Sequence, residues 1–490
     1  MPKTIQLPTA PVKSSTSMSG SKPKTKKSDT DTAVIGPGST LQKLKETKPK
    51  YYSHLSIRDD DSIAVTFDTM ALKSIPDEVF LNEQVQQALV AVNLSNNKIK
   101  KIPATFADNL LLRDIDLSAN LIKKIPPGLL SKLKDLKVLK ITDNQIKAVP
   151  RTLAKAESLD QINLSSNLIK KLPPTIGNAI QVNKINLSKN SIAVLPKTIY
   201  NLRRELDVSE NRIESLPLIK ETKKIKLNIL SLILDKNNIS ELPENVHELY
   251  HLERLSIAEN SLIELPHNFG DFMFLSHLDL SDNKLANLPD SFGKLGNCIT
   301  ELNLKGNRLE RLPSTITKFV RVKNMNISDN NLRSLPGLLP DYENFGRDLV
   351  SLDVSNNALE SCDPWINNVH PFPSLEVINF RKNEINSLDE ECFAMMKNLM
   401  VADFSANHIA HMPESISLCQ RLKVLRFANN KLAKISNSLG TNQLLEELDV
   451  SGNAIEDLPN DLRKKFHDTR ILKLSGNIMD RFQKKFCKRS

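Results

Sequence analysis

Residues 278–289 read LDLSDNKLANLP. Leu278 and Leu280 are separated by one residue, Asn283 follows three residues later, and Pro289 closes the stretch. A single residue between two aliphatic side chains is the alternation of a β-strand, so both leucines face the same side. Proline lacks a backbone donor and ends the strand pattern. The stretch therefore predicts a short strand followed by a turn.

The same pattern recurs along most of the chain, and most copies lie 23 or 24 residues apart. One short strand cannot bury its apolar side alone, so each copy must stack on the next. The strands then form a parallel sheet with a spacing of about 4.8 Å. Seventeen asparagines, one after each strand, mark and number the repeats: Asn97, Asn120, Asn144, Asn167, Asn190, Asn211, Asn237, Asn260, Asn283, Asn307, Asn330, Asn357, Asn383, Asn407, Asn430, Asn453 and Asn477.

These asparagines are expected to have a structural role. The amide side chain both donates and accepts, so it can pair the backbone groups that become free where a strand ends. Such a hydrogen bond contributes about 1 kcal/mol net, and an unpaired buried group would cost more. We therefore assign the asparagine ladder no chemistry.

The pattern L-x-x-L-x-L-x-x-N-x-L resembles the leucine-rich repeat superfamily, and the closing Leu-Pro resembles its intracellular Ras-suppressor-like class. The resemblance covers residues 60–482. It implies an α/β fold, a curved leucine-rich repeat solenoid with a parallel β-sheet on the concave face and short irregular or helical return segments on the convex face. It also implies a non-catalytic scaffold without cofactors, which binds signalling or phosphatase-type proteins on its concave face.

The limits of the array follow from where the pattern fades. Residues 1–50 hold ten lysines against three acidic residues and are rich in Ser, Thr and Pro, which predicts a disordered basic tail. Residues 51–76 carry Met70 in place of the asparagine, as expected of an N-terminal capping repeat. The other segments are the array at 77–482, its irregular part at 337–390 and a basic C-terminal tail at 483–490.

Composition favours an intracellular protein. No apolar run approaches the ~18 residues of a membrane helix, and the N-terminus lacks the apolar core of a signal peptide. The five cysteines are scattered and odd in number, which favours reduced thiols. We expect a cytoplasmic location, with the nucleus as an alternative.

Repeats one to four carry lysine at one or both of the third and fourth positions after the asparagine. Stacking would align these lysines as a stripe along one edge. With the basic tail, the stripe could recruit the chain to an acidic protein, an anionic membrane or nucleic acid, or could simply be solvated. Few aromatic residues and a mildly acidic central column of the sheet argue against nucleic acid. The stripe comprises Lys100, Lys101, Lys123, Lys124, Lys147, Lys170 and Lys171.

An apolar patch is predicted on the concave face. Six residues before the asparagine, Val377, Val401 and Val424 fall on three consecutive repeats, and Asp403 and Arg426 flank them. Solvent-facing valines about 5 Å apart would form a partner-binding patch. The alternative is that valine is present only because it favours strands.

The insert at 363–374 carries the only tryptophan, Trp365. Two interpretations stay open at this point. Trp365 and Phe372 either pack over the solenoid, or Trp365 is an exposed anchor for a partner.

Residues 247–251 read HELYH, the H-E-x-x-H pattern in which two histidines of a zinc protease bind the metal. In the register of the repeat Leu249 takes an inward position, so His247 and His251 lie on the outer face of a short return segment. No third ligand is apparent. We therefore predict neither a zinc site nor an enzyme.

Overall fold

The computed structural model describes residues 45–46, 49–219, 227–337, 345–366, 372–465 and 471–478. In these residues nineteen short strands form one open sheet, and each strand pairs with the next along the chain. The pair β1 and β2 is antiparallel, and the later pairs are parallel. The tail residues 1–44 and the C-terminal tail at 483–490 lie outside the described residues.

The strands follow the predicted period, and β3 to β19 each precede one of the seventeen asparagines. Their bounds are β1 Leu55–Ile57, β2 Ile63–Thr66, β3 Leu89–Asn93, β4 Asp114–Asp116, β5 Val138–Lys140, β6 Gln161–Asn163, β7 Lys184–Asn186, β8 Glu205–Asp207, β9 Ser231–Ile233, β10 Arg254–Ser256, β11 His277–Asp279, β12 Glu301–Asn303, β13 Asn324–Asn326, β14 Ser351–Asp353, β15 Val377–Asn379, β16 Val401–Asp403, β17 Val424–Arg426, β18 Glu447–Asp449 and β19 Ile471–Lys473.

The return segments are short helices and turns. Seven of the ten described 3₁₀ turns directly follow the proline that closes the repeat pattern, whose fixed φ suits a helical start. The α-helices are α1 Pro49–Tyr52, α2 Asp77–Phe80, α3 Glu83–Gln86, α4 Pro127–Lys132 and α5 Asn460–Lys465. The 3₁₀ turns are Ala104–Asp108, Arg151–Lys155, Pro174–Asn178, Lys197–Asn201, Val246–Glu248, Phe269–Asp271, Asp290–Asn297, Ser314–Lys318, Glu414–Leu418 and Asn437–Thr441.

One continuous apolar core runs between the sheet and the return segments. Leu278 and Leu280 are buried on its sheet side, as the alternation predicts. Aromatic rings continue the packing from coil to coil, with centroids 5.3 to 6.2 Å apart. The two stacks are Phe269, Phe292 and Phe319, and Phe380, Phe404 and Phe427.

The N-terminal cap differs from a plain degenerate repeat. Strand β1 turns back on β2 and covers the first coil with an antiparallel edge. Tyr52 is buried beneath it and its hydroxyl donates to the carbonyl oxygen of Glu78 at 2.6 Å. Helix α1 begins at Pro49, just ahead of the predicted limit at residue 51. A one-residue alternation cannot reveal the direction of pairing, so the sequence did not predict this hairpin.

Candidate functional site

Each asparagine of the ladder joins two coils. Asn283 donates from Nδ2 to the carbonyl oxygen of Ile257 at 2.8 Å in the preceding coil, and to Leu280 in its own coil at 3.1 Å. Its Oδ1 accepts from the Leu262 amide at 2.9 Å. All seventeen ladder asparagines both donate to and accept from the backbone of the preceding coil.

The residue before each ladder asparagine has a left-handed backbone. Fourteen of these residues are not glycine, and their φ lies between 50° and 56°. Such a φ suits Gly, Asn and Asp and costs other residues about 1 kcal/mol. This column contains Asn96, Asp143, Asp282 and Gly306, residue types that favour the left-handed conformation. The left-handed turn carries the chain from the sheet to its edge.

The central column of the sheet has a structural role that the sequence analysis missed. Asp279 Oδ1 accepts from both the amide and the hydroxyl of Ser281, at 2.9 and 2.6 Å. Its other oxygen accepts from Asn303 Nδ2 at 2.9 Å. Twelve repeats share the bond to the amide two residues on. These acids and amides therefore stabilise the turn and are only partly free for a ligand.

Repeat seven departs from this arrangement, because Ile233 occupies the central column. Asp235 instead reaches the next coil, and its Oδ1 accepts from the Ala258 amide at 2.8 Å and the Ser256 hydroxyl at 2.6 Å. Burial raises the pKa of the Asp235 carboxyl above its ordinary value, although these two bonds oppose the shift. In repeat eight the central column holds Ser256, and the Asp235 carboxylate of the preceding coil accepts the hydrogen bond of the turn amide of Ala258 instead.

A half-open groove with a volume of about 590 Å³ lies on the concave face over repeats eight to twelve. Its walls mix basic, acidic and amide side chains, and Asn324 Nδ2 donates to both carboxylate oxygens of Glu301 at 2.8 Å. The groove can therefore hydrogen-bond a polar ligand but concentrates no single charge. Its polar lining residues are Arg254, Ser256, His277, Asp279, Glu301, Asn303, Asn324, Asn326, Ser351 and Asp353.

Exposed apolar side chains precede the first two strands of this groove. Tyr250, Met273 and Phe274 are 41%, 62% and 54% exposed. The ring of His251 stacks on Phe274 with centroids 6.5 Å apart. These residues form a rim at the edge where β10 and β11 begin. Met273 lies 23 residues after Tyr250, and Phe274 lies 23 residues after His251. Sequence reasoning missed the rim, because only the strand columns were expected to carry a contact surface.

The predicted valine patch continues the groove. Val377, Val401 and Val424 are paired in register on β15, β16 and β17 and are half-buried. Val377 is also in register with Ser351, the last groove residue of its column. Groove and patch are therefore one uninterrupted surface across eight strands.

Charged side chains end this surface. Arg426 lies between Asp403, 3.9 Å away, and Glu447, 3.0 Å away, and Lys473 lies 3.2 Å from Glu447. Asp403 is buried, with its Oδ1 bonded to the Ser405 amide at 2.9 Å. Hydrogen bonding to Arg426 lowers the pKa of the Glu447 carboxyl, and the same bond raises the pKa of Arg426. Arg426 is thus held in place beside Val424.

Trp365 is fully buried, so the prediction that it is an exposed anchor is wrong. Its Nε1 donates to the carbonyl oxygen of Pro336 at 3.0 Å, and its ring lies 4.9 Å from that of Phe345. Phe372 is buried beside Phe345. Trp365, Phe345 and Phe372 close the core where the period of the repeat is broken.

The lysine stripe lies along the edge where the strands end. All seven lysines are exposed, and within the described residues none forms an ion pair with an acidic side chain. Ala148 and Lys171 form a parallel bridge, so the same position of adjacent coils is in register. The stripe is therefore aligned on stacked coils.

The H-E-x-x-H stretch does not form the helix that a zinc protease needs. Its 3₁₀ turn spans only Val246–Glu248, Leu249 is buried, and His251 stacks on Phe274. In the part of the chain that the structure describes, no three His, Cys, Asp or Glu side chains come close enough to hold a metal ion. No described helix has the length and apolarity to cross a membrane.

Comparisons with known proteins agree with this architecture. One leucine-rich repeat family model matches residues 111–169, and a second matches residues 274–295. None of the curated proteins matches the sequence.

Three solved structures illustrate the likeness in fold. A leucine-rich repeat protein of Leptospira interrogans is 21% identical with a TM-score of 0.63, and the match covers 87% of this chain and 93% of that one. Toll in the Drosophila Toll–Spatzle complex is 21% identical with a TM-score of 0.68, and the match covers 87% of this chain and 63% of that one. The third is the ectodomain of the Arabidopsis thaliana receptor kinase GASSHO1/SCHENGEN3, in complex with Casparian strip integrity factor 2. It is 22% identical with a TM-score of 0.56, and the match covers 83% of this chain and 52% of that one. The chain therefore spans about half of that ectodomain.

The structure has the expected curved solenoid with one sheet and short return segments. The sequence pattern, the matching family models and the solved structures agree on the same repeat. The chain is a member of the leucine-rich repeat superfamily.

Proposed function

We propose that this protein is a non-catalytic interaction scaffold of intracellular signalling that binds an extended segment of a partner protein across repeats eight to fifteen. The observation that carries the proposal is the continuity of groove and valine patch. One column of the sheet runs in register from the polar groove to the three valines: Arg254, His277, Glu301, Asn324, Ser351, Val377, Val401 and Val424.

The length of this surface sets the length of the ligand. Eight strands at a spacing of about 4.8 Å extend over ~34 Å, which matches about ten residues of extended chain. The groove offers donors and acceptors to the backbone of the ligand, and the valines offer an apolar surface to its side chains. We therefore expect a partner segment with a polar half and an aliphatic or aromatic half.

Carboxylates that are already hydrogen-bonded to the protein support a binding role without catalysis. Asp279 and Asp403 are bonded to the turns beside them, so these acids are poorly placed to exchange protons with a substrate. The described cysteines are free thiols, three of them buried, which supports a reducing, intracellular compartment. Phosphatase-type partners and the Ras-suppressor-like class belong to the same proposal.

The solved structures named above support the choice of ligand. Toll is seen in complex with Spatzle, and GASSHO1/SCHENGEN3 in complex with Casparian strip integrity factor 2. In each case a protein of this fold is in complex with a partner. The present chain is similar to them in fold, and its concave surface is open to a ligand.

The test is selection from a display library of random peptides of about ten residues, followed by calorimetry and a pull-down from cell extract. Replacing Val377, Val401 and Val424 with glutamate should abolish binding. A matched control replaces Met395, Leu418 and Leu444, exposed apolar residues of the return segments in the same part of the array, with glutamate. Binding that survives the valine substitutions, or is lost equally in the control, would contradict the proposal.

The sequence left one alternative, an adaptor that its basic tail recruits to anionic membrane or nucleic acid. A third variant, which lacks residues 1–44, distinguishes this alternative from the groove proposal. If this truncation alone removes the bound material, and binding falls steeply with salt, the tail carries the function. The groove proposal expects the truncated chain to bind the selected peptide unchanged.

A further inference from the structure

Over repeats one to eight, the edge where the strands end is divided by charge. Its basic half is the lysine stripe of repeats one to four. Repeats six, seven and eight place Glu214, Glu241 and Glu264 at the same third and fourth positions after the asparagine, and all three are exposed. Ser215 and Glu241 form a parallel bridge, so this half is also in register from coil to coil.

Repeat five lies between the two halves and is uncharged at these positions. It presents Ala193 and Val194, and Val194 is 73% exposed, the highest value among the large apolar side chains that the structure describes. A solvated charged edge needs no apolar side chain at its centre. The edge thus has a basic arm, an apolar centre and an acidic arm, in which repeat eight also presents Ile263, 60% exposed, beside Glu264.

We propose that this edge is a self-association surface, on which a second copy of the chain docks in the opposite direction about a two-fold axis through repeat five. The axis makes the contact isologous, so the same surface serves both copies. The two Val194 side chains then meet at the centre. Each basic arm faces the acidic arm of the other copy.

The pairing follows from the repeat numbers. Repeat four meets repeat six, three meets seven and two meets eight, so each lysine-bearing coil faces a glutamate-bearing coil of the other copy. The matched sets are Lys170 and Lys171 with Glu214, Lys147 with Glu241, and Lys123 and Lys124 with Glu264. Each glutamate therefore finds at least one lysine.

The curvature of the solenoid permits this contact. An axis that runs along the radius of the arc, through repeat five, turns one arc over and lays it on the other with coinciding curvature. The contact from repeat two to repeat eight then extends over six coil steps, about 29 Å at ~4.8 Å each. The concave groove stays open in both copies, so the inference is independent of the proposed function.

An anionic membrane fits this edge less well. It would attract the lysines of repeats one to four but repel Glu214, Glu241 and Glu264 on the same edge. A second copy satisfies both arms at once. Charge complementarity of this kind sets the register of a contact and makes it sensitive to salt.

The test is sedimentation velocity of the full chain at about 50 mM and about 500 mM salt, because screening weakens such a contact. We expect dimers at low salt and monomers at high salt. The double substitution Lys170→Glu and Lys171→Glu should weaken the dimer by at least about tenfold, and Glu214→Lys should do the same. Val194→Glu should weaken it as well, since two glutamates would meet on the axis.

The decisive measurement mixes the two charge-reversed variants. Lysine at position 214 of one copy then faces glutamate at 170 and 171 of the other, and the second contact keeps its natural charges. The mixture should dimerise at low salt although each variant alone is a monomer. A matched control, Lys155→Glu with Lys397→Glu, makes the same charge change on exposed return segments and should leave the dimer unchanged.

Three results would overturn the proposal. The first is a natural chain that stays monomeric at low salt. The second is a mixture that fails to dimerise while both variants give the circular dichroism and melting temperature of the natural chain. The third is a control that weakens the dimer as much as the edge variants, since a general charge effect would then explain the data.

Discussion

Arg426 on β17 holds Glu447 on β18 through two parallel hydrogen bonds, from Nε to Oε1 at 3.0 Å and from Nη2 to Oε2 at 3.1 Å. A guanidinium and a carboxylate fit together in this way without distortion. The pair lies at the end of the proposed binding surface, next to Val424. It orders a charged side chain that the sequence placed on the concave face without a partner.

Removing Arg426 should make stability less dependent on pH. The bond to Arg426 lowers the pKa of Glu447 in the fold, so the carboxylate stabilises the fold above its unfolded pKa, and this contribution is lost as pH falls through the folded pKa. Arg426→Ala should therefore cost about 1 kcal/mol at pH 7, kept small by partial exposure, and less at pH 4. Urea unfolding at both pH values measures it.

Arg421→Ala is the matched control for this prediction. Arg421 Nη1 bonds to the Asn398 amide oxygen at 3.0 Å and is exposed, so its removal changes no carboxylate pKa by direct contact. An Arg426→Ala cost that is the same at pH 7 and pH 4 would show that the pair does not act through the ionisation of Glu447.

The asparagine ladder should be costly to break at any interior repeat. Asn283→Ala leaves the Leu262 amide and the Ile257 carbonyl without their side-chain partner. We expect a loss of about 2–4 kcal/mol in unfolding free energy, because these groups stay buried. Asn287→Ala, at an exposed position of the same coil, should change stability by less than about 0.5 kcal/mol. Equal effects in urea titrations would refute the structural role.

Trp365 should behave as a buried probe. Its fluorescence is expected to be blue-shifted and protected from iodide in the native protein, because the ring has no exposed area and its Nε1 is bonded to Pro336. Binding of a peptide in the groove should leave the emission unchanged. Trp365→Ala should cost about 3–5 kcal/mol. Quenching as strong as that of the urea-unfolded chain would contradict the packing.

Three buried cysteines should make the fold sensitive to alkali. Burial raises the pKa of Cys419 from 9.0 to about 12 and raises those of Cys362 and Cys392 as well. A thiol whose pKa is raised in the fold contributes its full stabilisation at pH values where the thiol is protonated in both the folded and the unfolded state. Stability should therefore fall as pH rises above about 9, since only the unfolded thiols then ionise.

Urea unfolding at pH 7, 9 and 10.5 tests this prediction, with Cys419→Ala as the variant whose pH slope should be smaller by one group. A thiol reagent provides the second measurement. In a chain carrying Cys487→Ser, Cys298 is half-buried and should react first, while the three buried thiols should react only on unfolding. Prompt labelling of all four native thiols would contradict the burial.

The periodic features were predictable because every repeat encodes them again. Stacking similar sequence repeats in register accounts for the strand alternation, the ladder of seventeen asparagines and the alignment of the lysine stripe. Non-periodic features were harder. The burial of Trp365 depends on how an insert folds back over Phe345, and the hairpin of β1 depends on the direction of a pairing that alternation does not specify.

The candidate site was predicted in part. The valines were found because they repeat in one column, and the structure places them where the column predicts. The groove beside them was missed, because its depth depends on curvature summed over many coils. The central column was predicted only to be mildly acidic. Asp279 and its equivalents are in fact bonded to turn amides two residues on, a contact that the repeat pattern does not show.

The sequence by itself determined the repeat, the register of the strands and the identity of the residues on each face, because these depend on local periods of two residues and of about 23 residues. Only the tertiary structure decided which polar side chains are bonded to turns and where the concave face forms a groove. These depend on side-chain contacts and packing that the repeat period alone does not specify. The short-range sequence pattern thus determines the structure of each coil, and the contacts between coils determine the shape of the concave surface.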